Sequence, residues 1–405
     1  MPDTEDGGAV FPRKDAAALE CALDSLGVLV RYNLRAQKAE MSRRGSGRWR
    51  EMNDRITADL RRDIAERFQY ETARGPSPLH YGAEQWTLWL NALLHPREVD
   101  PFKKWLEVLG EWDKTFRLNE WFSDVFTIRD GNTELTQWAA RFVFYGAVTR
   151  TMNPGCKLDE MPVLIGPQGI GKSTALRLAL PPDMPELFND GLHLAADPKF
   201  RAEALQGRVI VEASEMSGVT RAELESLKAF LSRTDDGGVR LAYRRNPEAM
   251  PRRCIIAGTS NNPECLPNDP SGNRRFVPVY LDGGDPAHLA EYLDENRNHL
   301  WAEAMALYAW HQEEPDEAPT AWLPRRLKGE QEAAAEQARR KDEILEDAID
   351  RSLAAWGDSP VVMSDLIKEA NMEGQRNIDR RAAAYLQNLG YRNVRRDGRR
   401  VWLKN

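Results

Sequence analysis

Residues 166–173 read Gly-Pro-Gln-Gly-Ile-Gly-Lys-Ser, and this stretch constrains the fold more than any other part of the chain. It follows a short apolar run, Pro162-Val-Leu-Ile165, and precedes the helix-like Thr174-Ala-Leu-Arg-Leu-Ala-Leu180. A glycine-rich turn between a buried strand and a helix directs backbone N–H groups towards phosphate oxygens. A lysine at this place reaches the β and γ phosphates, and the serine hydroxyl binds Mg²⁺. The motif therefore predicts a nucleoside triphosphate site on an α/β sheet.

The same motif names the residues expected at the nucleotide. Its glycines expose backbone N–H groups, and the residues after the lysine begin the helix that closes the site. The residues expected to contact the nucleotide are Gly166, Gln168, Gly169, Ile170, Gly171, Lys172, Ser173 and Thr174. Of these, Lys172 is also expected to act in catalysis and Ser173 to bind the metal ion.

Short apolar runs recur through the middle of the chain, with helix-like stretches between them. Each run is bounded by turn or polar residues, and the runs occupy 162–165, 209–211, 254–257 and 276–280. Uninterrupted apolar strands are typical of a parallel sheet that is covered by helices on both faces. The pattern predicts an α/β core with a mostly parallel sheet.

Polar residues flank these runs at places where such sheets hold their ligands. Glu212 and Glu215 follow the second run; unless they are solvated caps, one holds the water shell of the metal and the other orients the attacking water. Asn261 follows the third run, where its amide can lie between the γ-phosphate and the water or merely form a turn. Arg274 and Arg275 precede the fourth run, on a loop that can reach a neighbouring subunit's nucleotide or stay solvated.

The charge of the chain limits how it can contact nucleic acids. The 56 Lys+Arg and 63 Asp+Glu residues give a net charge of −7, which excludes a uniformly basic DNA-coating protein. Two segments are nevertheless locally basic: residues 240–253 hold five arginines against one glutamate, and residues 371–405 hold nine basic residues against three acids. Contact with DNA phosphates is expected for both; it suits residues 240–253 better than a place in the core does, and for residues 371–405 a solvated face is the alternative.

The two basic segments have different predicted shapes. The first resembles a hairpin with its tip near 245–248, suited to one DNA strand in a pore. The second follows helical stripes and has strands on either side of Asp397-Gly398, which is the outline of a winged helix-turn-helix for duplex DNA. The residues expected to contact DNA are Arg240, Arg244, Arg245, Arg380, Arg381, Arg395, Arg396, Arg399 and Arg400.

Composition and periodicity divide the chain into five predicted parts. They are a small α+β accessory domain (1–78), a helical region suited to oligomerisation (79–150), the α/β P-loop core (151–312), an acidic and helical linker (313–341) and a winged-helix domain (342–405). The linker helix is expected to be solvated, and no role is predicted for residues 1–78. No apolar stretch approaches the length of a transmembrane helix and the acidic start lacks a signal-peptide pattern, so the chain is expected in the cytoplasm.

Taken in order, the motifs resemble those of the virulence-associated protein E family of phage and mobile-element proteins, within the superfamily 3 helicases of the AAA+ class. The matching stretches are 105–113, 153–157, 166–174, 211–215, 227–230 with 243–245, 258–261 and 272–276. The resemblance implies an AAA+ core with a collar-like helical region before it, and ATP and Mg²⁺ as cofactors.

The resemblance also implies individual roles. Glu212 and Glu215 would form the Walker B pair, Asn261 would be sensor 1, and the basic hairpin would be the DNA-engaging loop. Arg275, more than Arg274, would be the arginine finger. The sequence departs from the family pattern at the acidic, glycine-rich 235–238.

The expected function is an ATP-driven DNA helicase or translocase for phage or mobile-element replication in the bacterial cytoplasm. It would act as a homo-oligomeric ring, expected to be a hexamer, on single-stranded and duplex DNA, with other replication proteins as further partners. Two alternatives stay open: an ATP-switched winged-helix DNA-binding or helicase-loader protein, and an antiviral defence ATPase. Strand separation on a forked duplex distinguishes the helicase from the loader.

Overall fold

The structure is a computed structural model that describes residues 9–192, 198–214, 228–236, 250–266, 273–338, 343–357, 360–372, 378–396 and 399–404. Within these ranges, buried apolar side chains form an N-terminal core from Ala18 to Leu94, a central core on two faces of a sheet, and a C-terminal core from Leu345 to Trp402. No helix in the described ranges is both long and apolar enough to cross a bilayer.

The N-terminal unit packs three helices against a small sheet. Its helices are α1 (Ala16–Ser25), α2 (Asp54–Arg67) and α3 (Ala83–Leu94), and its strands are β1 (Val10–Phe11), β2 (Val28–Asn33), β3 (Lys38–Arg43), β4 (Arg50–Glu51), β5 (Gln69–Tyr70), β6 (Ser77–Pro78) and β7 (Glu98–Val99). The main sheet has the order β4-β3-β2-β7, and β2 and β3 form an antiparallel hairpin. Asp15 and Asn53 begin α1 and α2 by accepting hydrogen bonds from backbone N–H groups of the first turn.

The centre of the molecule is a six-stranded sheet with the order β10-β11-β12-β9-β13-β8. The strands are β8 (Phe126–Ile128), β9 (Met161–Ile165), β10 (Phe188–Asn189), β11 (Ile210–Ala213), β12 (Ile255–Ser260) and β13 (Phe276–Gly284). Five of these described strands are parallel, and the edge strand β8 is antiparallel. The four predicted apolar runs correspond to β9, β11, β12 and β13, whereas β8 and β10 match no predicted run. The predicted mostly parallel sheet is confirmed.

Helices cover both faces of this sheet. They are α4 (Pro101–Glu107), α5 (Trp121–Val125), α6 (Glu134–Met152), α7 (Lys172–Leu178), α8 (Pro198–Leu205), α9 (Pro286–Glu313) and α10 (Lys328–Gln337). Side chains at the sheet alternate between the faces: Leu164 belongs to one core cluster, and Val163 and Ile165 belong to the other. Trp301 of α9 packs edge-on against Phe102 and Phe144, so these three aromatic rings belong to the core of the central unit.

The structure differs from the sequence prediction at one domain boundary and at the linker helix. Trp86, Leu90 and Leu93 of α3 are buried in the N-terminal core, so this helix packs with residues before 79 and not with the helices after 100. The linker helix α10 is not simply solvated, because Gln331 is 1% exposed and Ala335 is buried against the sheet. The sequence of α10, rich in Glu and Ala, hides these contacts, since they depend on β13 far away in the chain.

The C-terminal unit has a core of its own. It consists of α11 (Glu343–Trp356), α12 (Met363–Glu369), α13 (Ile378–Asn388) and the antiparallel ribbon of β14 (Tyr391–Arg396) and β15 (Arg399–Lys404). Val361, between the first two helices, pairs with Trp402 of the ribbon. Three helices are thus followed by a two-stranded ribbon, in the order that the sequence suggests.

Candidate nucleotide-binding and hydrolysis site

The loop 166–171 connects β9 to α7 at the carboxyl edge of the sheet. Gly169 and Gly171 have φ angles of +86° and +97°, which side chains with a Cβ rarely adopt. A Cβ on Gly166 would lie 2.3 Å from the carbonyl oxygen of Leu281, so glycine is also required by packing. Gln168, Gly169 and Ser173 are exposed, so the turn is accessible to a ligand, whereas the side chain of Ile170 is buried in the core and anchors the turn.

The side chain of Lys172 folds back onto the first residues of this loop. Its Nζ donates hydrogen bonds to the carbonyl oxygens of Gly166 (2.8 Å) and Pro167 (2.7 Å) and to Oδ1 of Asn261 (2.9 Å). Burial lowers the pKa of the Lys172 ammonium, and the nearby charge of Glu212 acts against that shift. The structure therefore brings together the lysine and the asparagine that the sequence places at the γ-phosphate.

Glu212 lies in the middle of the site and is fully buried. Its Oε1 accepts hydrogen bonds from Ser173 Oγ (2.6 Å) and Thr259 Oγ1 (2.5 Å). Its Oε2 is buried and has no hydrogen-bond partner among the described residues. A buried carboxylate oxygen without a partner is costly, and a hydrated cation would supply one.

These residues fit a Mg²⁺ ion. Mg²⁺ keeps several water ligands and takes one or two protein oxygens, which here would be the Ser173 hydroxyl directly and Glu212 through the water shell. The ion would neutralise charge on the phosphate oxygens during their transfer. Thr174, the residue after this serine, is half-buried in the first turn of α7 and lies at the same end of the helix.

The site differs from the sequence prediction in two respects. Glu212 lies within β11, between Val211 and Ala213, and not beyond the end of the strand. Thr259, which is absent from the predicted site, holds Glu212 from the neighbouring strand, because the register of β11 and β12 pairs Glu212 with Ala257. The sequence signal that could have found Thr259 is its place two residues before Asn261. Glu215 lies outside the described residues.

Arg274 and Arg275 lie at the opposite, amino edge of the sheet. The register of β13 and β9 pairs Phe276 with Met161 and Tyr280 with Ile165. At about 3.3 Å per residue, the length of β9 puts these arginines roughly 17 Å from the loop that begins at Gly166. Neither of them is at the nucleotide site of its own chain.

The two arginines differ in their surroundings. Arg275 Nε donates to Ser232 Oγ (2.9 Å) and lies 3.3 Å from Oδ2 of Asp159, whereas Arg274 is exposed. The side-chain amide of Gln331 donates to the carbonyl oxygens of Asn273 and Phe276, which flank the pair. Helix α10 therefore holds this turn in place.

The base of the predicted basic hairpin is also described. Asp235 pairs with Pro251, and Arg252 forms a buried ion pair with Asp236 (2.5 Å). Arg253 lies 3.3 Å from Asp100. Two of the five arginines counted in this segment, Arg252 and Arg253, thus form ion pairs within the protein. Asp236, which lies in the stretch 235–238 that departs from the family pattern, is the partner of Arg252. Arg240, Arg244 and Arg245 lie outside the described residues.

Arg35, at the turn between β2 and β3, ties the N-terminal unit to the sheet. Its guanidinium forms an ion pair with Asp100 in which both side chains are almost fully buried (1% and 2% exposed). It also donates to the carbonyl oxygens of Arg208 (2.9 Å) and Arg253 (2.8 Å), which come just before β11 and β12. The two strands that carry Glu212 and Thr259 are therefore held at their amino ends by one residue.

The predicted DNA contacts of the C-terminal unit are partly described. Arg395 and Arg400 are exposed and lie opposite each other on β14 and β15, and Arg381 is half-buried on α13. The backbone of Arg396 pairs with that of Arg399, and Arg380 lies on α13. The side chains of Arg380, Arg396 and Arg399 lie outside the described part of the chain.

Two solved structures have a similar fold: the A form apo structure of the NrS-1 C-terminal region and the apo structure of the NrS-1 C-terminal region (305-718). Each is 13% identical to this chain with a TM-score of 0.50, and the alignments cover 96% and 97% of this chain and 99% of each NrS-1 chain. At this identity the similarity concerns the fold alone. A search of curated protein sequences finds no match.

The family comparison covers more than half of the chain. The virulence-associated protein E-like domain matches residues 106–343, a range that contains the loop 166–171, Glu212, Asn261 and the arginine pair. The match agrees with the resemblance in the motifs and with the P-loop geometry described above. The chain belongs to the virulence-associated protein E-like family.

Proposed function

We propose that this protein is an ATP hydrolase that drives a DNA helicase or translocase in the replication of a phage or mobile element. The observation that carries the proposal is the convergence of Lys172, Ser173, Glu212 and Asn261 at one edge of the sheet. Lys172 and Ser173 begin α7 after β9, Glu212 lies in β11 and Asn261 follows β12. Together they supply, in one place, a phosphate-binding cation, a metal site and a polar group for the attacking water. ATP and Mg²⁺ are the proposed cofactors.

The proposed active form is a ring, with a hexamer as the expected size. Phosphoryl transfer is accelerated by an arginine at the γ-phosphate, and both candidate arginines lie at the far edge of the sheet from their own loop. A neighbouring copy that presented this edge to the nucleotide would complete the site. The exposed guanidinium of Arg274 is available for this role at once, whereas Arg275 would have to leave Asp159 and Ser232.

DNA is the proposed substrate of the motor. The C-terminal unit has the element order of a winged helix-turn-helix, with α13 in the position of the helix that enters the major groove. Its ribbon places Arg395 opposite Arg400, although like charges directly opposite each other destabilise a ribbon. Bound phosphates would offset this repulsion, which favours a duplex-binding role.

The decisive experiment compares Lys172→Ala with Lys199→Ala, which changes an exposed lysine of α8. ATP turnover and unwinding of a forked duplex are measured for both variants and for the unchanged protein. We expect Lys172→Ala to lose both activities while keeping its fold, because the hydrogen bonds of Lys172 go to the loop and Asn261. Turnover without any strand separation or movement along DNA would favour the loader, and undiminished turnover in Lys172→Ala would exclude the site.

A further inference from the structure

The loop between β3 and β4 is the most basic part of the N-terminal unit that the structure describes. Residues 42–50 contain four arginines and no acid, in a chain whose net charge is −7. Arg43, Arg44, Arg48 and Arg50 are all exposed. We call residues 43–50 the arginine loop.

The arginine loop has a defined backbone. Gly45 and Gly47 have φ angles of +83° and +64°, and a Cβ on either would meet only open space. The backbone N–H of Ser46 donates to the carbonyl oxygen of Arg43 (2.9 Å), and its hydroxyl lies 3.0 Å from that of Ser42. The glycines are thus required by conformation and leave the surface of the loop unobstructed.

The arginines of this loop are hardly neutralised. Arg44 lies 3.5 Å from Asp24, but both side chains are at least 60% exposed, and such pairs contribute little. Arg43 donates to the carbonyl oxygen of Leu26. Within the described ranges, Arg48 and Arg50 form no ion pair. Four charges held close together on a protein of opposite net charge indicate an anionic partner.

An aromatic ring lies among these charges. The guanidinium of Arg31 packs 4.1 Å from the centre of the half-buried Trp49 ring. Arg31 is oriented by an ion pair with Glu40, in which Nε lies 2.7 Å from Oε2. Arginine side chains that alternate with an aromatic ring are typical of surfaces that bind the backbone and the bases of a single strand. An acidic protein segment would use the arginines but would gain little from Trp49.

The arginine loop borders an open groove of about 1180 Å³. Arg48, Trp49 and Arg50 line one wall, and Lys104, Trp105 and Arg208 of the central unit line the other. Two acids at the groove, Glu40 and Glu51, are already paired with Arg31 and Lys38. The central unit contributes three further acids to the groove, Asp183, Glu186 and Glu203, which favours phosphates along the arginine loop and away from these acids.

We propose that the arginine loop and Trp49 form a further nucleic-acid site, which binds a DNA single strand along the groove between the N-terminal and central units. The phosphates in the groove contact Arg48 and Arg50, which line it, and a base packs against Trp49; Arg43 and Arg44, on the same loop, add positive charge beside the groove. The proposal deepens the proposed function, on which it rests for the identity of the strand. It also gives the N-terminal unit a role in holding the substrate of the motor.

The test measures the affinity of the full chain for a labelled single strand over a range of salt concentrations. Arg48→Ala with Arg50→Ala is compared with Arg55→Ala with Arg67→Ala, which removes the same charge from exposed positions on α2. The first variant should bind several-fold more weakly and lose about 1.4 from the slope of log K against log salt, roughly 0.7 per phosphate contact. The second should change neither quantity.

Trp49→Ala and Trp49→Phe separate stacking from charge. The alanine variant should bind about fivefold or more weakly with an unchanged salt slope, and phenylalanine should restore part of the affinity. Equal binding by the Arg48/Arg50 and Arg55/Arg67 variants would overturn the proposal. So would tighter binding of polyglutamate than of DNA at the same arginines, because the partner would then be an acidic polypeptide.

The same variants distinguish this site from the motor. ATP turnover without DNA should be unchanged in all of them, since none of these residues touches the loop 166–171. If the unchanged protein binds the strand through the arginine loop but hydrolyses no ATP, the proposed function fails and the site stands. If it hydrolyses ATP normally and the loop variants bind like the control, the site fails and the proposed function stands.

Discussion

At the scale of single residues, Glu212 has the most demanding environment. One carboxylate oxygen is shared by the hydroxyls of Ser173 and Thr259, and the other is buried with no partner among the described residues. The carboxylate is therefore oriented before any ligand arrives. Such orientation reduces the reorganisation needed when the metal and its water shell bind.

Glu212→Gln should retain ATP binding and lose hydrolysis, by about 10²-fold or more. The amide keeps the shape of the side chain but removes the charge that holds the hydrated metal, so the Mg²⁺ concentration for half-maximal turnover should rise. Glu203→Gln on the exposed part of α8 is the matched control and should behave as the unchanged protein. If Glu215→Gln raises the Mg²⁺ requirement and Glu212→Gln does not, the roles of the two glutamates are exchanged.

The residues of the site were predictable to different degrees. Lys172 and Ser173 belong to a local motif. Glu212 and Asn261 could be predicted because each is a polar residue that follows an apolar run downstream of that motif. Thr259, Arg35 and Gln331 could not be predicted as contacts, because each depends on which strands are neighbours and on their register. Arg275 could be recognised as an arginine at the start of a strand, but its ion pair with Asp159 could not.

At the scale of elements, the hairpin of β2 and β3 joins the N-terminal unit to the strands that carry the site. Asn33 Oδ1 accepts hydrogen bonds from the backbone N–H groups of Arg35 and Ala36, which fixes the turn. On the other side, Gln206 donates to the carbonyl oxygen of Ala36. The turn is therefore held from both units, with the Arg35 guanidinium between them.

Arg35→Ala should destabilise the protein by about 3 kcal/mol or more, because breaking a buried pair leaves a charge without compensation. Lys38→Ala, in the same hairpin, removes an ion pair in which both side chains are at least 41% exposed, and it should cost about 1 kcal/mol or less. Thermal unfolding of both variants tests this difference. Equal midpoints would show that the Arg35 contacts do not connect the two units energetically.

Elements were more predictable than the contacts between them. The parallel strands follow from apolar runs with polar ends, since a strand that is buried on both faces tolerates few other residues. The predicted boundary between 78 and 79 separates α3 from the N-terminal core in which it packs, because an amphipathic stripe shows that a helix is buried and not what buries it. The burial of Gln331 in α10 could not be predicted, because a polar residue among Glu and Ala gives no sign of a buried helix face.

At the scale of the whole molecule, the loop 166–171 and the pair Arg274 and Arg275 lie at opposite edges of one sheet. Arg274→Ala should lower kcat by about 10³ or more if its guanidinium completes a neighbour's site. Mixing this variant with Lys172→Ala protein should restore part of the activity, because an intact loop and an intact arginine then meet at some interfaces. Rescue of Arg275→Ala in place of Arg274→Ala would assign the finger to Arg275. Absence of rescue for both, with a monomer in solution, would contradict the ring.

The C-terminal unit should be separable from the motor. Among the described residues, its buried core contains only residues from Leu345 to Trp402, so deletion of 343–405 leaves the other described cores complete. We expect the deletion to weaken binding of duplex DNA and to spare ATP turnover stimulated by single strands. Arg244→Ala with Arg245→Ala should have the opposite effect. If both changes reduce both activities equally, the division of the DNA contacts between the two regions is wrong.

The contacts of Arg35 have a consequence for how such proteins can evolve. The family domain begins at residue 106, yet two carbonyl groups at the foot of its sheet are satisfied by an arginine that lies about seventy residues before that point on the chain. A gene exchange that replaced the codons before the family domain would have to bring an equivalent arginine at an equivalent turn. The unit that recombination can move intact is therefore longer than the unit by which the family is recognised.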